Sequence, residues 1–178
     1  MQASSSADVW DEIVGGARRE SPLWAGAVRA DAELRPVFSP LAEPRFALGL
    51  ETIYEGYLLH YGRPRLFAPP DRDTGLLLGD YLFAHGLVRV AEHEEVDAVG
   101  DLAALISLCA QLRADGRDGD GAVWAATAAL LGQRRLGEAR AALRLRADPS
   151  LLLGLALEAA GREEVERALA AHSERVAG

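Results

Sequence analysis

The stretch Phe46-Ala-Leu-Gly-Leu-Glu-Thr-Ile-Tyr-Glu-Gly-Tyr-Leu-Leu-His-Tyr61 is the clearest amphipathic segment of the chain. At about 100° per residue, Phe46, Leu50, Ile53, Tyr54, Tyr57 and Tyr61 fall within roughly 100° of arc, which predicts a helix with that face on a core. Glu51 and Glu55 lie on the opposite side. Their spacing suits a paired-carboxylate site in a bundle, but a face turned away from the aromatics reads as solvated. Gly62 and Pro64 close the helix, and Pro36, Pro40 and Pro44 separate it from what precedes.

Upstream, Ser5 with Asp8 makes a capping pattern before Val9, Trp10, Ile13 and Val14. Ser21 before Pro22 opens a second helix, with Leu23, Trp24, Ala27, Val28 and Leu34 on one side as far as Pro36. Downstream, Asp71 or Asp73 caps a segment from Thr74 to His93 that is apolar nearly all round, the pattern of a central helix. A further helix runs from Glu94 to Arg113 on a stripe of Val99, Leu102, Leu105, Ile106, Cys109 and Leu112. Residues 115–121, rich in Asp and Gly, read as a mobile linker. Shorter helices follow over 122–135, 136–146, 149–160 (capped by Asp148, stopped by Gly161) and 162–176.

The expected fold is therefore all-α, a helical bundle of about eight or nine helices in a single domain 1–178. It divides into a main bundle half 1–114, the flexible linker 115–121 and C-terminal helical hairpins 122–178. Gly132 and Gly161 mark two similar helix–Gly–helix units, too few for a repeat array and better read as plain hairpins.

With 178 residues, 49% hydrophobic and 26% charged, the chain can bury a core without staples. A net charge of −8 opposes nucleic acid as a partner. No apolar run is long enough for a transmembrane segment and no leader pattern opens the chain, so a cytoplasmic location is expected. All 19 basic residues are arginine, which removes lysine-dependent chemistry, Walker loops included. Cys109 sits on an apolar stripe and reads as inert core. Of His60, His85, His93 and His172 no two stand three or four apart, so no zinc site is expected. Asp115, Asp118 and Asp120 lack the alternation and closing glutamate of a calcium loop.

Two features ask for partners. On a helical wheel Asp80 falls between Leu77 and Leu87, which predicts an inward carboxylate paired with Arg45, Arg63 or Arg65, or else with a ligand or metal. Arg134, Arg135, Arg140 and Arg144, with Arg146, stand against the single acid Glu138. They read as a solvated arginine-rich face or as a candidate anion patch for a diphosphate or acidic partner.

Gly49-Leu-Glu-Thr-Ile-Tyr-Glu-Gly-Tyr-Leu-Leu-His60, then Gly62-Arg-Pro64, then Leu76-Leu-Leu-Gly-Asp-Tyr-Leu-Phe-Ala-His-Gly-Leu87 resemble the first half of a trans-polyprenyl diphosphate synthase. Leu50-Glu51, His60, Gly62-Arg63-Pro64, Gly79-Asp80 and Ala84 carry the match, over about residues 41–112. The resemblance implies a truncated isoprenoid-synthase-like core. In that family the helix ending in histidine leads into an aspartate-rich motif that holds magnesium on an allylic diphosphate. Here Tyr61-Gly62 follows His60, only Asp71 and Asp73 stand nearby, and the second aspartate-rich motif has no counterpart after Trp124. A scaffold without the catalyst is implied, with no catalytic residue, no metal site and no cofactor.

The expected function is a non-catalytic accessory or regulatory subunit in isoprenoid or quinone side-chain biosynthesis, similar to the small subunit of heteromeric long-chain synthases. Its partner would be a second copy or a full-length prenyl synthase, met through the helices over 44–61 and 74–93. One alternative is an isoprenoid-diphosphate binder or residual prenyltransferase using His60, Arg63, Arg65, Asp71, Asp73 and Asp80, with magnesium only in that case. Another is a helical-repeat scaffold that leaves Val165, Ala168, Leu169 and His172 exposed.

Overall fold

Rich in Ala, Leu, Arg and Glu, the chain folds as an all-α bundle. The computed structural model describes residues 6–176. Among them are nine α-helices: α1 (Ser6–Glu20), α2 (Pro22–Gly26), α3 (Ala47–Tyr61), α4 (Arg72–Ala91), α5 (Val96–Ala114), α6 (Asp120–Ala129), α7 (Gly137–Arg146), α8 (Ser150–Ala160) and α9 (Arg162–Val176). Two 3-10 turns, Ser39–Leu41 and Pro44–Phe46, lead into α3. No helix among the described residues is long and apolar enough to cross a membrane. Ser5, the expected first cap, lies outside the described residues.

Several starts and stops follow the local chemistry. Ser21 Oγ accepts from Leu23 N (3.2 Å), Asp71 Oδ1 accepts from Thr74 N (2.8 Å), and Gly161 ends α8 at φ 85°. Elsewhere tertiary pairing overrides propensity. The second helix stops at Gly26 rather than Pro36, because the following backbone bonds to residues 65–68. Arg29 N donates to Leu66 O (2.9 Å) and Ala68 N to Ala27 O (2.7 Å). The helix expected over 122–135 begins earlier, at Asp120, and ends at Ala129. The turn after it holds Gly132 and Arg134 at positive φ.

The central helix is α3, not α4. Every residue from Gly49 to Leu58 is buried, whereas α4 leaves Leu77 63% and Val88 56% exposed. The two helices run antiparallel and touch backbone to backbone at two glycine pairs. A Cβ added at Gly86 would lie 2.9 Å from Gly49 O and 2.4 Å from Ile53 Cγ1, and one added at Gly56 would lie 2.9 Å from Gly79 O. The glycines stand seven apart in each helix, two full turns, so both contacts fall on one seam. The glycines let the backbones approach while the side chains of Ile53, Leu82, Phe83 and Val90 pack directly against them.

One apolar cluster extends from Val37 to Ala171 and joins α3, α5, α6, α8 and α9. A second, built on Trp10, Ile13, Ala27, Leu66, Phe67, Leu78 and Leu82, lies between α1 and the α3–α4 pair. Val165, Ala168 and His172 are buried and Leu169 is half-buried against the main cluster. The stripe that a repeat array would expose is thus covered, and α8–α9 is a closed hairpin.

Candidate functional site

Sequence periodicity turns Glu51 and Glu55 outward; the structure buries both completely. The reason is Arg65, which follows the Gly62–Pro64 turn back across α3 and is itself fully buried. Its NH1 donates to Glu51 Oε2 at 2.6 Å and its Nε to Glu55 Oε2 at 3.0 Å. Glu55 Oε1 also accepts from the backbone N–H of Arg65 (2.8 Å) and Leu66 (2.7 Å), while Glu51 Oε1 accepts from Val37 and Ser39 at 3.3 Å. The guanidinium lies over the rings of Trp10 (5.0 Å) and Tyr54 (4.9 Å). Burial alone would lower the Arg65 pKa, but the two carboxylates outweigh it and raise it. With its lone pairs and protons satisfied, this triad ties together α1, residues 35–39, α3 and the 65–67 segment.

The other residues of the synthase-like pattern are spread over separate contacts or face solvent. Asp80 points to solvent, its side chain 70% exposed, which corrects the inward reading. Its Oδ1 lies 3.1 Å from His60 Nε2. The helical wheel misplaced it because α4, packed against α1, α3 and α5, leaves bare the side that carries Asp80. None of the expected arginines reaches it. Arg45 pairs with Glu43 and Glu95, Arg65 is locked in the triad, and Arg63 donates to Glu174 O at the end of α9. His60 stacks on Phe83 with centroids 5.1 Å apart. Asp71 caps α4, and its bonds from the Thr74 backbone and side chain hold its carboxyl below the usual range. Asp73 is exposed in the first turn of α4.

A second buried polar cluster joins α3, α5, α6 and α9. Tyr57 OH donates to Asp120 Oδ2, and Arg113 donates to both, reaching the Tyr57 hydroxyl at 2.7 Å. His172 Nε2 sits 3.5 Å from Asp120 Oδ2, and its Nδ1 is 3.0 Å from Tyr54 OH. Phe38 and Trp124 wall the cluster, their rings stacked 5.4 Å apart. Burial pushes Tyr54 and Tyr57 well above the ordinary tyrosine range, with Asp120 adding to the push on Tyr57, so both stay neutral donors. Cys109, buried beside them, is likewise pushed well above the usual thiol value and is inert. Asp120, read from sequence as linker, is therefore the anchor of α6.

Burial alone would raise the Asp120 pKa, but its bonds from His172 and Tyr57 and the charge of Arg113 hold it far below the ordinary value of 3.8. A depressed carboxylate stabilises the fold fully above its unfolded value and loses that contribution as pH falls through its folded value. Asp120→Asn should therefore cost about 2–3 kcal/mol at pH 7. The difference from wild type should shrink progressively below about pH 4. Urea denaturation at pH 7, 5 and 3 measures this, and a deficit that stays constant with pH would contradict the assignment.

The candidate anion patch is not held together as one site. Arg140 is buried and donates to Asp101 Oδ1 at 2.7 Å, joining α7 to α5, while Arg134 pairs with Asp97 and Arg135 with Glu158. Only Arg144 of the four stays exposed without an ion pair among the described residues. No family model, curated protein or solved structure matches the chain. Among the described residues no three His, Cys, Asp or Glu side chains converge as metal ligands.

The signals that periodicity missed were nonetheless present as residue types. An arginine soon after a helix that carries two carboxylates at i, i+4 is a candidate partner for both. Glycines seven apart in two neighbouring helical segments signal backbone contact.

Proposed function

We propose that the chain is a non-catalytic helical partner of a polyprenyl diphosphate synthase, acting by contact rather than by chemistry. One observation carries the reading: the two segments that resemble the family, α3 and α4, are sealed against each other at Gly49–Gly86 and Gly56–Gly79. The side chains of Ile53, His60, Leu82, Phe83 and Val90 already fill the space beside those glycines, which leaves no room there for a ligand tail. The residues that an allylic diphosphate would need are engaged elsewhere, Asp71 as a cap, Arg65 in the triad and Arg63 on α9.

What the helix pair leaves free is outside. Leu77, Ala84, Val88 and Ala91 share one exposed side of α4, with Asp80 at its edge. Because α3 is buried from Gly49 to Leu58, the proposed partner surface rests on α4 more than on residues 44–61. An exposed apolar stripe on a helix fits a helix-on-helix contact with a second protein.

The test is co-expression with a full-length polyprenyl diphosphate synthase from the same source. The reading expects a stoichiometric complex and a changed product chain length. Val88→Glu with Leu77→Glu, both at exposed positions, should abolish the complex while leaving the fold intact. A chain that stays monomeric, with product length unaltered, would contradict the reading.

A further inference from the structure

Where α1 and α2 meet α4, three aromatic rings follow one another in contact. The ring centroids lie 4.5 Å apart between Trp24 and Tyr81 and 5.2 Å apart between Tyr81 and His85. His85 Nε2 sits against the bare backbone of α1, for a Cβ added at Gly16 would lie 3.3 Å from it and 3.5 Å from Tyr81 OH. That nitrogen is buried and has no hydrogen-bond partner among the described residues. In the same interface Ile13 and Ala17 of α1 join Leu78 and Leu82 of α4 in one apolar cluster, all four buried.

A neutral imidazole tolerates this position, because its single proton can sit on Nδ1. An imidazolium carries an N–H on both ring nitrogens, and the one facing Gly16 would have no acceptor. The surrounding charges do not offset that cost. From α1, Arg19 and Glu20 act on the ring, while Glu12 is engaged by Arg89 at 3.1 Å and Arg19 at 3.9 Å. From α4 come Tyr81, Arg89 and Glu92, the last 3.9 Å from Arg89. No titratable group stands on α2. Burial first, then the charge of Arg89, lowers the His85 pKa below its ordinary value of 6.5, and Glu92 and Glu20 oppose this only in part.

We infer that His85 is a pH-sensitive latch for α1: its protonation loosens α1 from α4 and uncovers Leu78 and Leu82. A histidine whose pKa is lowered by docking contributes fully above its undocked value, so docking weakens as pH falls below about 6.5. A single proton limits the change to about tenfold per pH unit. The latch uses contacts within one chain and stands apart from the partner reading.

Hydrogen exchange of the full chain at pH 7.5 and pH 5.5, expressed as protection factors, tests it. The α1 amides should exchange before those of α3, and their protection should be about two- to tenfold lower at pH 5.5. His85→Gln, which cannot titrate, should abolish the difference, and His93→Gln, at an exposed position on the same side of the sequence, should leave it intact. The inference is overturned if wild-type α1 protection is equal at both pH values, if its fall persists in His85→Gln, or if α1 opens only together with α3. The His85 ring resonances of the wild type give a check that needs no variant. They should titrate with a midpoint below 6.5, and a midpoint at or above 6.5 would equally overturn the latch.

Discussion

Arg65→Met will lower the unfolding free energy by about 3–5 kcal/mol, the cost of leaving a buried charge without its partner. Two carboxylates with no access to water, one turn apart on the same face of α3, would then lack their shared cation. Glu51 would keep only the two 3.3 Å bonds from Val37 and Ser39. The methionine fills similar volume, which separates loss of charge from loss of packing. Trp10 lies beside the guanidinium, so its fluorescence in a urea titration reports the right region. A loss under about 1 kcal/mol would mean that the triad is not the lock described above.

Gly86→Ala should also destabilise, against what helix propensity predicts. Propensity alone favours alanine over glycine in a helix interior by about 1 kcal/mol. At this position the added methyl would lie 2.4 Å from Ile53 Cγ1 and 2.9 Å from Gly49 O, and a backbone oxygen cannot rotate away. Forcing the helices apart disturbs the whole α3–α4 seam, so a net loss of about 2–3 kcal/mol is expected. Gly100→Ala in α5 is the contrast. An added Cβ there meets nothing within 4 Å, and the same substitution should stabilise by up to about 1 kcal/mol. Thermal melts of the two variants should therefore move in opposite directions. Equal upward shifts would show that the glycine seam is looser than described.

Much of the fold was legible in the residues because helix starts and stops depend on local chemistry. Ser21, Asp71 and Gly161 need only their near neighbours to act, and the aromatic arc from Phe46 to Tyr61 meets the core as its spacing predicts. The site was less legible because its partners are distant in sequence. Nothing in the period of α3 shows that Arg65 will fold back over Glu51 and Glu55, so a polar face reads as solvent. Asp80 failed in the opposite direction: a helix apolar all round reads as enclosed, yet α4 keeps one side bare. Asp120 lay in a run of Asp and Gly that resembles a linker, and only Tyr57, Arg113 and His172, brought together from three helices, make it a buried anchor.

The closed α3–α4 seam is also what a ligand inside the bundle would have to open. Helices sealed at their backbones should open only with the whole domain, so their amides should exchange at the slowest rates in the molecule. The direct measurement is hydrogen exchange of the α3 and α4 amides with and without farnesyl diphosphate and magnesium. Global-limit protection in both helices, unchanged by the additions, is the expected result. Sub-global opening of α4, or protection there that rises with farnesyl diphosphate, would contradict a sealed, non-catalytic core.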